Sequence, residues 1–228
     1  MIPLNIYQTW YTKNLPPKMK ECVDSIKYNN PEFNHYLFDD EECREFLKLN
    51  FNIDVLYAYD TMIPGAYKAD LWRYCILYKQ GGIYLDIKYK CVNGFKFISL
   101  TNEKEYFVRD LYDSNSNMAI YNAFMICQAG NEVMLKCINE VVKNVRNRFY
   151  GLSSLHVTGP SMMIDFFTPY QKQKINYLYH HSEKGKYYIV HKDKIILMVY
   201  PEYRYEQRKN EKNKHYSILW KNKAIYIN

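Results

Sequence analysis

Between residues 64 and 88 the chain changes its hydrophobic period once, abruptly, and that change constrains the fold around it. Pro64-Gly65 opens a helix running from Ala66 to Tyr78. Ala69, Trp72, Arg73, Ile76 and Leu77 recur along it at helical steps. Gly81-Gly82 ends the helix. Ile83-Tyr84-Leu85 then reads as a short apolar strand, and Asp86 stands at its carboxyl end. Asp70 and Arg73 lie three residues apart on the helix and share a face. A solvated pair of that kind is worth under about 1 kcal/mol. The face around this pair is apolar, which argues against a solvated one. In open α/β sheets, ligands bind outside the carboxyl ends of strands. A carboxylate there, such as Asp86, can hold a divalent ion against a diphosphate.

The flanking sequence extends the pattern. Ile2 to Tyr7 reads as a buried strand and Lys18 to Tyr28 as a helix with Met19, Cys22, Val23 and Ile26 on one face. Asn29-Asn30-Pro31 stops that helix, and Phe33 to Phe38 is a second strand. Asp39-Asp40 caps a helix to about Leu49. This β-α-β-α order predicts a layered α/β domain with a mainly parallel sheet. Downstream, Cys91 to Phe97 is extended with a turn at Asn93-Gly94. Tyr106 to Val108 and Ala119 to Ile126 are strands, and Glu132 to Arg146 is a strong helix. Thr158-Gly159-Pro160 introduces another helix to Phe167. Short strands follow at Tyr187 to Val190 and Ile195 to Val199, with a last one near Ala224 to Ile227.

A chain of 228 residues fits one domain, 1–228, or one domain with a small appendage, and a piece of a longer protein would read the same; 48% hydrophobic residues can bury a sizeable core. Its 25 tyrosines exceed what that core can hold, so many must sit at surfaces or sites. The net charge of +7 favours anionic partners. Much of it lies between Lys184 and Lys223, interleaved with Tyr, a pattern that could bind single-stranded nucleic acid. No zinc-finger, helix-turn-helix or RNA-binding signature accompanies it, so a solvated surface is the better reading. The six cysteines show no CxxC pair and no Cys/His cluster, which leaves them as scattered reduced thiols. The first residues carry no signal-peptide pattern, and no segment is long and apolar enough to span a bilayer. The expectation is a soluble, cytoplasmic chain that binds no nucleic acid.

The segment Ala69-Asp70…Arg73-Tyr74…Gly81-Gly82…Tyr84…Asp86 resembles the DXD-containing sugar-binding region of family 32 glycosyltransferases. The family's pattern there is A-D-x-x-R-Y, an apolar helix, then G-G-x-Y-x-D-x-D. Ile6-Tyr7-Gln8-Thr9-Trp10, Asn30-Pro31, Asp39-Asp40-Glu41, Asn122-Ala123-Phe124 and Thr158-Gly159-Pro160 are similar to further landmarks of that family, in its order. The resemblance covers roughly residues 2 to 167. It implies a GT-A fold, a Rossmann-like sheet flanked by helices with small extra strands toward the C-terminus. It also implies retaining transfer of a sugar from a UDP- or GDP-linked donor to a glycan or glycoprotein acceptor. A nucleotide-sugar-binding module of the same fold, without turnover, is the alternative. The short, anchor-free, Asn/Lys/Ile/Tyr-rich form resembles bacterial and giant-virus members of the family.

By the same resemblance, Tyr7, Gln8, Thr9 and Trp10 line the nucleotide end of the pocket. Ala69 and Asp70 meet the sugar. Arg73 faces sugar or diphosphate, Tyr84 packs beside the nucleotide, and Asn122 touches the donor sugar. Asp70, Arg73 and Asp86 form the catalytic set, with Asp86 as ligand of Mn²⁺ or Mg²⁺. One position departs from the pattern: Lys88 stands where the family has its second DXD acid. Three readings stay open: a metal held by one acid plus phosphates, an ammonium that replaces part of the metal's charge, or a side chain with no part in the chemistry. Near the C-terminus, Trp220 and Lys221 are expected to close over the donor, with His215 or Ser217 adding a contact. An amphipathic last strand is the competing reading there. The His180-His181 doublet falls on opposite faces if it is a strand.

Overall fold

The structure is a computed structural model and describes residues 1–102, 104–111, 119–174, 178–210 and 213–227. The opening β-α-β-α order holds. Strand β1 (Asn5–Thr9) leads to helix α1 (Pro17–Asn29), strand β2 (Asn34–Phe38) and helix α2 (Asp40–Asn50). Pro17 supplies the fixed φ of a first helical residue. Asp39 caps α2 in a reciprocal box with Glu42, which satisfies two otherwise orphaned backbone donors. A helix that the sequence pattern did not reveal follows, α3 (Ile53–Thr61), capped by Asn52. It buries Val55, Leu56, Ala58, Tyr59 and Thr61 but exposes the apolar Ile53 and Tyr57, so its outer face is not polar enough to set a period.

Helix α4 (Gly65–Gln80) is buried continuously from Asp70 to Leu77. It passes into β3 (Gly82–Leu85) through Gly81 and Gly82, both at positive φ. There is no room for a side chain at either: a Cβ on Gly81 would lie 2.5 Å from the Ala129 nitrogen, and one on Gly82 2.8 Å from the Asn5 oxygen. β4 (Tyr89–Cys91), β5 (Tyr106–Arg109) and β6 (Ile120–Cys127) come next, then the amphipathic helix α5 (Glu132–Arg146) capped by Asn131. The short helices α6 (Pro160–Met163) and α7 (Pro169–Lys174) precede β7 (Leu178–Glu183), β8 (Lys186–His191) and β9 (Lys194–Val199). The chain closes with α8 (Tyr203–Asn210) and α9 (Tyr216–Lys221).

Among the described residues the strands form one nine-stranded sheet, ordered β2-β1-β3-β6-β5-β7-β8-β9-β4. β1 runs parallel to β2 and β3, and β5 to β7; the other five pairings are antiparallel. The sheet is therefore mixed, which corrects the expectation of a mainly parallel one. The reason is local. β7, β8 and β9 are joined by two-residue turns, Lys184-Gly185 and Lys192-Asp193, with positive φ at every turn residue. That geometry matches strand twist and makes tight hairpins. The final strand expected near 224–227 is reduced to a single bridge between Met62 and Tyr226. The stretch before it is helical, so a last strand there is also corrected.

Alternate residues of β1, β3 and β6 divide two cores. Tyr7, Tyr84 and Met125 face α2 to α5, and Ile6, Ile83 and Phe124 face the other side with Phe97 and Leu100. A third cluster joins Met19, Cys22 and Val23 of α1 to Ile87, Tyr200 and Tyr203. Among the described residues no helix is long and apolar enough to cross a membrane.

Candidate active site

The parallel strands β1 and β3 end side by side, at Thr9 and Leu85, and a cleft of about 440 Å³ opens there. Asp86 follows β3 directly, its backbone nitrogen bonded to the Ala123 carbonyl of β6 at 2.8 Å. That bond sets Asn122 beside it. Helix α4 runs across the floor and supplies Asp70 and Arg73.

These side chains form one network. The Arg73 guanidinium donates from Nη1 to the Asn122 carbonyl at 2.9 Å and from Nε to the Ala69 carbonyl at 3.2 Å. It lies 3.3 Å from Asp86 Oδ1 and 3.5 Å from Asp70 Oδ1, and stacks over the Tyr84 ring at 4.4 Å. Asn122 Nδ2 donates to Asp70 Oδ1 at 2.9 Å, and Thr158 Oγ1 donates to Oδ2 at 2.7 Å. Burial pushes the Asp70 carboxyl above its ordinary value, and Arg73, Thr158 and Asn122 offset that in part. A planar guanidinium held by five such contacts has little freedom left, which preorganises it for an anionic ligand.

Asp86 is engaged on both oxygens. Tyr84 donates to Oδ1 at 3.0 Å, and Lys88 Nζ lies 2.6 Å from Oδ2. Burial alone would raise this carboxyl; Lys88 and Arg73 together hold it below its usual range. Lys88 is itself largely enclosed, its ammonium over the rings of Tyr121 at 5.3 Å and Tyr89 at 5.6 Å. Its two other N–H donors meet no hydrogen-bond acceptor among the described residues. This set does not fit a divalent ion. Asp86 is one carboxylate with two cations already on it, and no group of three His, Cys, Asp or Glu suited to a metal occurs among the described residues.

Of the residues expected at the site, the cleft brings together Thr9, Trp10, Ala69, Asp70, Arg73, Tyr84, Asp86, Lys88 and Asn122. Tyr7 and Gln8 lie beneath it. Tyr7 is buried and stacks on Tyr36 at 5.4 Å; Gln8 is fully buried and accepts from His35 Nε2 at 2.7 Å. Trp220 and Lys221 do not line the cleft; the Trp220 indole donates to the Tyr150 carbonyl at 2.6 Å. His215 does line it, as the cap of α9, whereas Ser217 does not. His180 and His181 pack on different partners, Tyr121 and Tyr188, and make no joint site.

Sequence reasoning missed Asp110 and Tyr121 and, from the C-terminal segment, Tyr203, Arg204, Lys214 and Tyr216. The signal was present as the excess of tyrosine and the basic C-terminal stretch. Nothing local marked which of those residues would fold back.

Residues 16–121 match the family described as the glycosyltransferase sugar-binding region containing DXD motif. The chain is similar to inositol phosphoceramide mannosyltransferase 3 of Schizosaccharomyces pombe, at 29% identity over 79% of this chain and 49% of that protein. It is also similar to an uncharacterized glycosyltransferase of Acanthamoeba polyphaga mimivirus, at 37% identity over 40% of this chain and 37% of the relative. The chain thus spans about half or less of the length of these curated relatives. Among solved structures it superposes on the PaToxG glycosyltransferase with a TM-score of 0.53 at 17% identity, covering 77% of this chain and 84% of that one. Residues 16–121 thus match the DXD-type glycosyltransferase sugar-binding region, and the fold is of the GT-A type.

Proposed function

We propose that residues 1–228 act as one retaining glycosyltransferase unit that moves a sugar from a nucleoside diphosphate to a glycan or glycoprotein hydroxyl. The observation that carries this is the Asp70–Arg73–Asn122–Asp86 network at the floor of a cleft of donor size, with Asp70, Arg73 and Asp86 inside the matched sugar-binding region. Asp70 accepts from sugar hydroxyls through the lone pairs that Asn122 and Thr158 leave free. Arg73 faces the bond that breaks and holds the charge that develops on the leaving phosphate. Thr9 and Trp10, at the end of β1, flank the nucleotide. No protein nucleophile is needed if the leaving phosphate takes the acceptor's proton on the same face.

The test is nucleotide release from a panel of UDP- and GDP-sugars. The fungal relative is named for mannosyl transfer, which puts a mannose-bearing donor first. Assays include Mn²⁺ and Mg²⁺, because DXD-type glycosyltransferases generally bind a divalent metal. The expected result is release with one donor, lowered about 100-fold in Arg73→Lys, since a single ammonium cannot span the carbonyls and carboxylates that Arg73 joins. A folded Arg73→Lys protein with undiminished release would overturn the reading. A binding module is the second reading, favoured by Lys88 beside Asp86. Nucleotide binding with no transfer from any donor to any acceptor would select it.

A further inference from the structure

The pairing of Lys88 with Asp86 leads us to propose that this site binds the donor diphosphate without a metal, the Lys88 ammonium serving as the phosphate's fixed counter-charge. The inference rests on the nucleotide-sugar reading above. Lys88 lines the cleft, and Asp86 anchors its Nζ at 2.6 Å. Tyr121 and Tyr89 wall it in, so the charge sits at one place rather than sweeping through solvent. One N–H is spent on Asp86. The other two have no acceptor among the described residues, and two donors are what a bridging contact to phosphate oxygens requires.

A divalent ion is disfavoured by the same geometry. Bound to Asp86, it would stand within a few ångströms of both the Lys88 ammonium and the Arg73 guanidinium, where like charges repel strongly in a part-buried site. Arg204 and Lys214 also line the cleft and add to its positive charge. In the transfer step, the bond between the sugar's anomeric carbon and the diphosphate oxygen breaks, and its electron pair stays on that oxygen. The acceptor oxygen bonds to the anomeric carbon, and its proton passes to the departing diphosphate. Lys88 and Arg73 stabilise the charge on the leaving group in place of an ion.

The experiment is calorimetric binding of UDP and of GDP to the full chain, in Mn²⁺ and in EDTA. It uses wild type, Lys88→Met, Lys88→Arg and Lys88→Asp. The expected result is wild-type binding of one diphosphate that differs by less than about twofold between Mn²⁺ and EDTA. Lys88→Met weakens it by about tenfold or more in both, and Lys88→Arg keeps most of it. Lys88→Asp binds only with Mn²⁺, because a second acid then completes a metal site. Wild-type binding lost in EDTA and restored by Mn²⁺ overturns this inference while the proposed function stands. Equal affinity of Lys88→Met and wild type in EDTA overturns it as well. Failure of both diphosphates to bind in either condition removes the nucleotide-sugar reading itself.

Discussion

Asp70 and Asp86 share one cleft, yet their surroundings push them in opposite directions, so their effects on acid stability oppose each other. Asp86, held below 3.8, stabilises the fold above that value and loses its contribution as pH falls through its lower folded value. Asp70, held above 3.8, favours the fold when protonated and opposes it as pH rises through its higher folded value. The residue that should govern mild acid sensitivity lies elsewhere, on β2 beside β1. Burial, reinforced by Lys27, pushes the His35 imidazole down to about 4, where it remains neutral as it donates to Gln8. The unfolded chain takes up that proton near 6.5 and the folded chain does not, so stability drops between those values on acidification. Thermal midpoints from pH 7 to about 4 should therefore fall more steeply in wild type than in His35→Asn. Parallel slopes would show that His35 is not the source. None of this was legible from the sequence, because a lone histidine carries no local sign of its burial.

At the scale of elements, the α4–β3 unit was legible because its signals are local. The helical period stops at a glycine pair, and a strand delivers a carboxylate. The structure adds why both glycines are needed, since β3 threads between the start of β1 and the end of β6. Gly82→Ala would place a Cβ 2.8 Å from a backbone oxygen at a φ of 104°. It should cost about 1–3 kcal/mol, measured by denaturant unfolding. A change under about 0.5 kcal/mol would mean that β1 can shift aside. Helix α8 was not legible. Its sequence is mostly charged residues and tyrosine, and its docking depends on one buried acid, Glu206. That carboxylate accepts from the Lys18 and Met19 nitrogens at the start of α1, each at 2.9 Å, and from the Tyr200 hydroxyl at 2.9 Å. Glu206 thereby fixes α8, whose Tyr203, Arg204 and Gln207 line the cleft. Glu206→Ala leaves three donors without partners and should cost about 2 kcal/mol or more, with weaker UDP or GDP binding. Full nucleotide affinity in a destabilised variant would show that α8 is not part of the binding wall.

At the scale of the whole molecule, the sequence foretold the layers better than the sheet. The early β-α-β-α order is written in hydrophobic periods, which are properties of adjacent residues. The antiparallel half depends on turns such as Lys192-Asp193, whose residues are poor markers of a hairpin. The cleft's floor was legible because Asp70, Arg73 and Asp86 lie within one unit. Its C-terminal lining was not, because Tyr203, Arg204, Lys214 and Tyr216 reach it only when the chain returns. That return is made by β9 pairing with β4, the bond from the Tyr200 nitrogen to the Lys88 carbonyl at 3.0 Å, and Glu206 on α1. During synthesis the chain emerges from its start, so the ribosome releases Lys88 long before Tyr200 can reach it. The cleft is thus an end-of-folding product closed by contacts of high sequence separation, which form slowly. Under the proposed function, nucleotide affinity then doubles as a report that Tyr200 and Glu206 have folded back onto the early strands and α1.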